Sequence, residues 1–193
     1  MKKVERSELL ALDAYEGIRE RFGARIIALK KNRRIAVGEH MTFVFENRDT
    51  VLFQIQEMLR TERITKSTAI DHELATYNDL VPDDGELSAT LLIEYDDANE
   101  RGPMLLALAG LGDHVALRVG DREAKAVFRP LPGEEPDRLP AVNYVRFPLG
   151  ADAAALLRDA SVPAALEVSH PSYRARADLA PAVRVELASD LED

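Results

Sequence analysis

The sequence predicts an α+β fold: a helical N-terminal layer packed on a mainly antiparallel sheet built from two β-α-β-like units. Three observations predict it. Residues before Pro82 hold three stretches with helical spacing of apolar side chains. From Leu87 the apolar period drops to two. A strand–helix–strand outline is then traversed twice, and such split units commonly share one antiparallel sheet with helices on one face. The 193 residues suit one compact domain, residues 1–193, which can bury a core without disulfides or metals. A subdivision into a mainly helical part, 1–82, and an α+β sheet part, 83–193, is the alternative.

In chain order, Ser7 is placed to cap a short turn. Asp13 then opens a helix, with Glu16 completing a capping pair. Tyr15, Ile18, Phe22, Ile26 and Leu29 line one face of it. The basic run Lys30, Lys31, Asn32, Arg33, Arg34 closes this helix. Cations there complement the helix dipole. A phosphate-binding patch is the sharper reading and the weaker one, because no aromatic residue interleaves. A strand over residues 35–45 follows, with Gly38 marking a turn and Met41, Phe43 and Phe45 on one face.

The most distinctive stretch is residues 43–63, FVFENRDTVLFQIQEMLRTER. A strand end enters the polar elbow Glu46, Asn47, Arg48, Asp49 and then a helix over residues 49–63. Asn47 or Asp49 is its expected N-cap. Val51, Leu52, Ile55, Met58 and Leu59 form the main apolar face, and Glu62 falls in the same sector. Phe53 lies opposite, near Glu57 and Arg60, so the helix is expected to be covered on two sides. A third helix, capped by Thr68 and Asp71, runs to Asn78.

Residues 87–95 read as a strand, 98–108 as a helix, and Val115, Leu117 and Val119 as a second strand. Gly120 and Asp121 suit a hairpin turn, with Ala124, Ala126 and Phe128 on the return strand. Pro130, Pro132, Gly133, Pro136 and Pro140 mark a connector. The outline then repeats: strand 142–149, a helix capped by Asp152, strand 164–169, and a last strand carrying Val183, Val185 and Leu187.

Composition narrows the chemistry. The chain has no cysteine, which excludes disulfides, thiolate zinc sites, cysteine-ligated clusters and a cysteine nucleophile. A cytoplasmic location fits best. No signal peptide is expected, because Lys2, Lys3, Glu5, Arg6 and Glu8 interrupt the first ten residues. No apolar run reaches the ~20 residues of a membrane helix. The formal net charge is −9 and is concentrated after residue 65, which disfavours nucleic acid and anionic lipid.

No complete catalytic or cofactor motif is present, and no cofactor or metal is assigned. His40, His72, His114 and His170 lack metal-pair spacing. Glu167 and His170 point to opposite faces of a strand. Gly110 and Gly112 read as a helix end, and phosphate-loop and serine-elbow motifs are missing. The residues left are polar ones in special places. Asn47, Arg48 and Asp49 could hold an anion at a helix N-terminus, or only cap the helix. Glu62, if buried, needs a partner. The cluster His170 to Arg176, HPSYRAR, offers His170 and Tyr173 for proton transfer, or only a turn that ends a strand.

The segments RIIALKK at 25–31, FENRDTVLFQIQEMLRTER at 45–63, YNDLVP at 77–82, LSATLLIEY at 87–95 and HPSY at 170–173 resemble an uncharacterised bacterial family, domain of unknown function 3501. The resemblance spans most of the chain and implies a small, soluble bacterial protein with no established activity. It also implies a neighbourhood of rubrerythrin-like and iron–sulfur redox proteins, hence an accessory redox role, and carries no catalytic residue over. The expected function is a cofactor-free binding or accessory protein with a protein partner. Its contact surface joins Asn47, Arg48 and Asp49 to His170 and Tyr173. The alternative is an enzyme or metal protein with a dispersed site drawn from Glu57, Glu62, His72 and His170. Oligomeric state is not legible.

Overall fold

The structure, a computed structural model, describes residues 1–129 and 138–191. After a short 3-10 turn, Arg6–Glu8, come helix α1 (Leu12–Lys30), the hairpin β1 (Arg34–Val37) and β2 (Met41–Glu46), and helices α2 (Arg48–Thr61) and α3 (Ser67–Asn78). The sheet part follows as β3 (Glu86–Ile93), α4 (Ala98–Ala107), β4 (Val115–Val119), β5 (Arg122–Lys125), β6 (Val127–Arg129), β7 (Val142–Pro148), α5 (Gly150–Arg158), β8 (Ala164–His170), β9 (Tyr173–Asp178) and α6 (Pro181–Ser189). The fold class is α+β, and the described strand pairs are all antiparallel.

The strands form two sheets. Sheet A has the order β1-β2-β3-β7-β6, and sheet B the order β5-β4-β8-β9. Each strand–helix–strand passage starts in sheet A and ends in sheet B, so α4 and α5 are crossovers between layers. The two passages are topological equivalents. Exchanging β2, β3, β4, β5 with β6, β7, β8, β9 leaves the order of both sheets intact, apart from the added β1. Period-two alternation shows one buried face per strand but not which sheet that face joins. For the same reason the expected return strand through Ala124, Ala126 and Phe128 is two strands. β5 stays in sheet B, and the chain passes Ala126 into β6 of sheet A.

The main core lies between the sheets. Phe43 and Phe45 of β2, Leu87 and Leu91 of β3 and Phe147 of β7 face Val115, Leu117 and Leu166 of sheet B. Phe45 and Phe147 stack with ring centroids 5.8 Å apart. Burying each such side chain contributes roughly 1.5–3 kcal/mol. A second cluster joins Val51, Ile55 and Leu59 of α2 to Val4, Leu80 and Val81, and Tyr144 of β7 packs against it. Helices therefore cover the outer face of sheet A, which explains why β2 is buried along its whole length.

Several local expectations change. α1 starts on Ala11, whose carbonyl accepts from the Tyr15 N–H at 2.8 Å. Asp13 thus sits inside the first turn, where it suits the dipole but does not cap. α3 starts after Lys66 and has no side-chain cap; Thr68 and Asp71 lie inside the helix, and Asp71 ion-pairs with Arg6. α5 starts from Leu149 without using Asp152 as a cap. Val183, Val185 and Leu187 lie on a helix rather than a strand. Pro181 occupies its first turn. Val183 and Leu187, four apart, are buried, while Val185 is 70% exposed. The strand instead lies earlier, at β9, which pairs with β8 through the two-residue turn Pro171-Ser172. Of the proline-rich connector, residues 130–137 fall outside the described residues.

Candidate functional site

The elbow forms as a helix cap. The Asn47 side-chain oxygen accepts from the Thr50 N–H at 3.0 Å, and Thr50 Oγ1 accepts from the Asn47 N–H at 2.9 Å. Arg48 ion-pairs with Glu8 of the 3-10 turn, and Asp49 pairs with Arg25 of α1. Asn47, Arg48 and Asp49 therefore each have a partner within the protein. Beside them, Arg33 is 1% exposed and donates from both terminal nitrogens to Asp190 beyond α6, at 2.6 and 2.8 Å. That pair uses the middle of the basic run as architecture. Burial pushes the Asp190 carboxyl up from its ordinary range, against the pull of Arg33.

Glu57 is held between α1 and α2. It accepts from Tyr15 Oη at 2.8 Å, from Arg19 Nε at 2.8 Å and Nη2 at 2.9 Å, and from Arg60 at 3.4 Å. The Arg19 guanidinium, opposed by burial and helped by Tyr15 and Arg60, lowers the carboxyl to about 2. Burial and Glu57 in turn raise the Tyr15 phenol. On the same face Phe53 meets Phe22 edge-on, with centroids 5.4 Å apart. The helix is covered on two sides, as its wheel predicts. Glu62, by contrast, is the exposed C-cap of α2, and its apolar sector does not extend past the helix end.

His170 and Tyr173 lie at the other end of β2. His170 is buried; its Nδ1 accepts from the Ser172 N–H at 3.1 Å. The other ring nitrogen, Nε2, must then carry the proton in the neutral ring and donate to the Ala109 carbonyl at 3.2 Å. Tyr173 Oη donates to the Val37 carbonyl at 2.6 Å and accepts from the His40 N–H at 3.1 Å. It closes the β1–β2 turn over Gly38, where φ is +71° and an added Cβ would collide with the phenol oxygen. The elbow follows Glu46 and the tyrosine caps the turn before Met41, so the two are separated by roughly 17 Å of strand. The structure does not bring them onto one surface. It also leaves Glu57, Glu62, the exposed His72 and His170 apart. Among the described residues no three His, Asp or Glu side chains cluster at ligand spacing.

What the fold does assemble is a concavity of about 300 Å³ on the outer face of sheet A. Val44, Thr90, Leu92, Val142 and Tyr144 form its floor, Val51 and Gln54 of α2 its roof, and Lys30 and Arg34 its rim. Glu46 stands at its inner end with a side chain only 9% exposed. Its Oε1 accepts from Thr90 Oγ1 at 2.8 Å. Its Oε2 has Lys30 Nζ at 3.8 Å, beyond hydrogen-bond range, and no hydrogen bond among the described residues. Arg34 reaches Glu94 only at 3.5 Å. Burial, Tyr77 and Glu46 raise the Tyr144 phenol. A buried carboxylate with half its acceptor capacity free, two loosely paired cations and an apolar floor are the features of a small-molecule site.

The sequence marks Glu46, Lys30 and Arg34 only as parts of the elbow and the basic run, and it gives no sign of Gln54, Thr90 and Tyr144. One signal was available. Thr42, Val44 and Glu46 alternate with the apolar face of β2, so any helix laid over that second face buries Glu46.

The profile of a family described as "Protein of unknown function (DUF3501)" matches residues 3–191. The chain belongs to this family. It is also similar to a crystal structure of a novel protein of unknown function from Burkholderia pseudomallei K96243. The two share 38% identity over 99% of this chain and 100% of that one, with a TM-score of 0.92. No curated protein matches the chain. Membership of the DUF3501 family, inferred above from five segments, thus extends over nearly the whole length, and it brings no established activity. Among the described residues no helix is long and apolar enough to cross a membrane.

Proposed function

We propose that this DUF3501 protein is a cytoplasmic, cofactor-free binding or accessory protein whose ligand occupies the concavity on sheet A. One observation carries the reading: Glu46 is buried at the base of that concavity with its Oε2 lacking a hydrogen-bond donor within the described protein. That oxygen is not sealed from solvent, and a ligand that offers a charged donor replaces water there with a charge-assisted hydrogen bond. The elbow serves this site indirectly, by setting the start of α2 and so the position of Val51 and Gln54. As an accessory protein it serves a protein partner, redox-related by the family resemblance; that part rests on the resemblance alone. The second hydrophobic cluster includes Tyr144 of sheet A, which supports residues 1–193 acting as one domain.

The test is mass spectrometry of small molecules released by denaturing protein purified from native cells. Val142 is 40% exposed at the mouth of the site, so Val142→Trp fills the concavity without disturbing the core. The wild type is expected to release a compound that Val142→Trp does not. Identical profiles from the two proteins contradict the proposal.

A further inference from the structure

The ligand class follows from how charge is arranged in the concavity, and this inference rests on the binding function just proposed. The site is polar at one end and apolar along its floor. At the polar end a carboxylate and an ammonium stand close together without touching: Glu46 Oε2 and Lys30 Nζ are 3.8 Å apart. Arg34 adds a second cation on the rim, half-exposed and held by Glu94 at 3.5 Å. Val44, Leu92 and Val142 continue from this end as a strip of aliphatic floor.

A plain carboxylate ligand would satisfy Lys30 and Arg34 but face Glu46, and like charges at such range repel. A plain amine would satisfy Glu46 but face the two cations. A molecule carrying both groups on neighbouring atoms meets each with its opposite. Its ammonium supplies the donor that Glu46 Oε2 lacks, and charge-assisted hydrogen bonds of this type are about twice as strong as neutral ones. The volume of about 300 Å³ lies at the small end of ligand pockets, which suits a metabolite of amino-acid size. We infer that the concavity binds a small aliphatic zwitterion of the α-amino-acid class, with its ammonium on Glu46, its carboxylate between Lys30 and Arg34, and its side chain over Val44, Leu92 and Val142.

The test uses three probes that share one isobutyl side chain: leucine, its deaminated analogue 4-methylpentanoate and its decarboxylated analogue 3-methylbutylamine. Binding is read by calorimetry on the full chain, and folding of each variant by its thermal midpoint. Leucine is expected to bind at least ~10-fold more tightly than either one-ended analogue. Glu46→Gln should weaken leucine by at least ~10-fold and bring it close to 4-methylpentanoate. Lys30→Met, on a half-buried and loosely paired side chain, should weaken leucine and 4-methylpentanoate but not the amine. It provides a second readout should Glu46→Gln not fold. Equal affinity for leucine and 4-methylpentanoate, lost in Val142→Trp, would overturn the zwitterion assignment and leave the binding function standing. No binding of leucine up to about 10 mM also overturns the assignment, and the released-ligand comparison then decides the binding function separately.

Discussion

Glu46 and Glu57 come from the same distinctive stretch and end in opposite states. Glu57 sits between two helices with Tyr15, Arg19 and Arg60 all donating to it. Glu46 sits between a sheet and a helix with one hydrogen bond from Thr90 and an ammonium held at a distance. Both are largely but not fully covered by the fold, so burial alone does not separate architecture from a site. What separates them is saturation. Glu57 has its acceptor capacity filled by groups of the protein, and a ligand would have to displace them. Glu46 keeps an oxygen turned toward an open concavity.

The largest effect expected from this contrast is on Glu57→Ala, which leaves Arg19 and Arg60 without their carboxylate. Glu57 is one-fifth exposed and Arg19 two-fifths, so solvent screens the pair and a loss of about 1–2 kcal/mol in urea unfolding is expected, with the concavity unaffected. The pH dependence carries the same signature. The folded carboxyl lies at about 2 against an ordinary 4.5, so its contribution is complete above pH 4.5 and is lost as pH falls toward 2. Glu57→Gln should therefore flatten the acid limb of the stability profile between those values and leave the neutral plateau as the place where the two proteins differ most.

A smaller effect belongs to the elbow. Asn47→Ala removes the α2 cap and should cost about 1 kcal/mol. If α2 frays, the roof over the concavity loosens, and ligand affinity should fall with stability. Arg48→Ala removes a partly exposed ion pair with Glu8 and should cost under ~1 kcal/mol with affinity unchanged. A large loss of affinity in Arg48→Ala alone would return the site to the elbow.

The helical layer was legible because its signals are local. Apolar spacing placed α1, α2 and α3, and the Phe53 side of α2 announced a second neighbour, found to be Phe22 of α1. Properties that depend on partners distant in sequence were not legible. Glu62 looked important on a wheel, but the wheel has no meaning beyond Thr61, where the helix ends. Val183, Val185 and Leu187 fit a strand and a helix equally, since Val183 and Leu187 are also four apart; Pro181 and the tertiary packing decide for α6. Alternation in β9 was hidden because its inward positions are Tyr173 and the small Ala175 and Ala177, set between charged Arg174, Arg176 and Asp178. The concavity itself draws on α1, β1, β2, α2, β3 and β7, and no motif in one stretch encodes such a convergence.

The most direct test compares Glu46→Gln with Glu57→Gln in one experiment that reads both urea-unfolding free energy and ligand affinity. Glu46→Gln is expected to hold its stability within about 1 kcal/mol and to lose binding by at least ~10-fold, while Glu57→Gln loses stability and, where folded, keeps its affinity. The reverse pattern, with Glu46→Gln unfolding and Glu57→Gln failing to bind, would contradict the division between a saturated structural carboxylate and an open functional one.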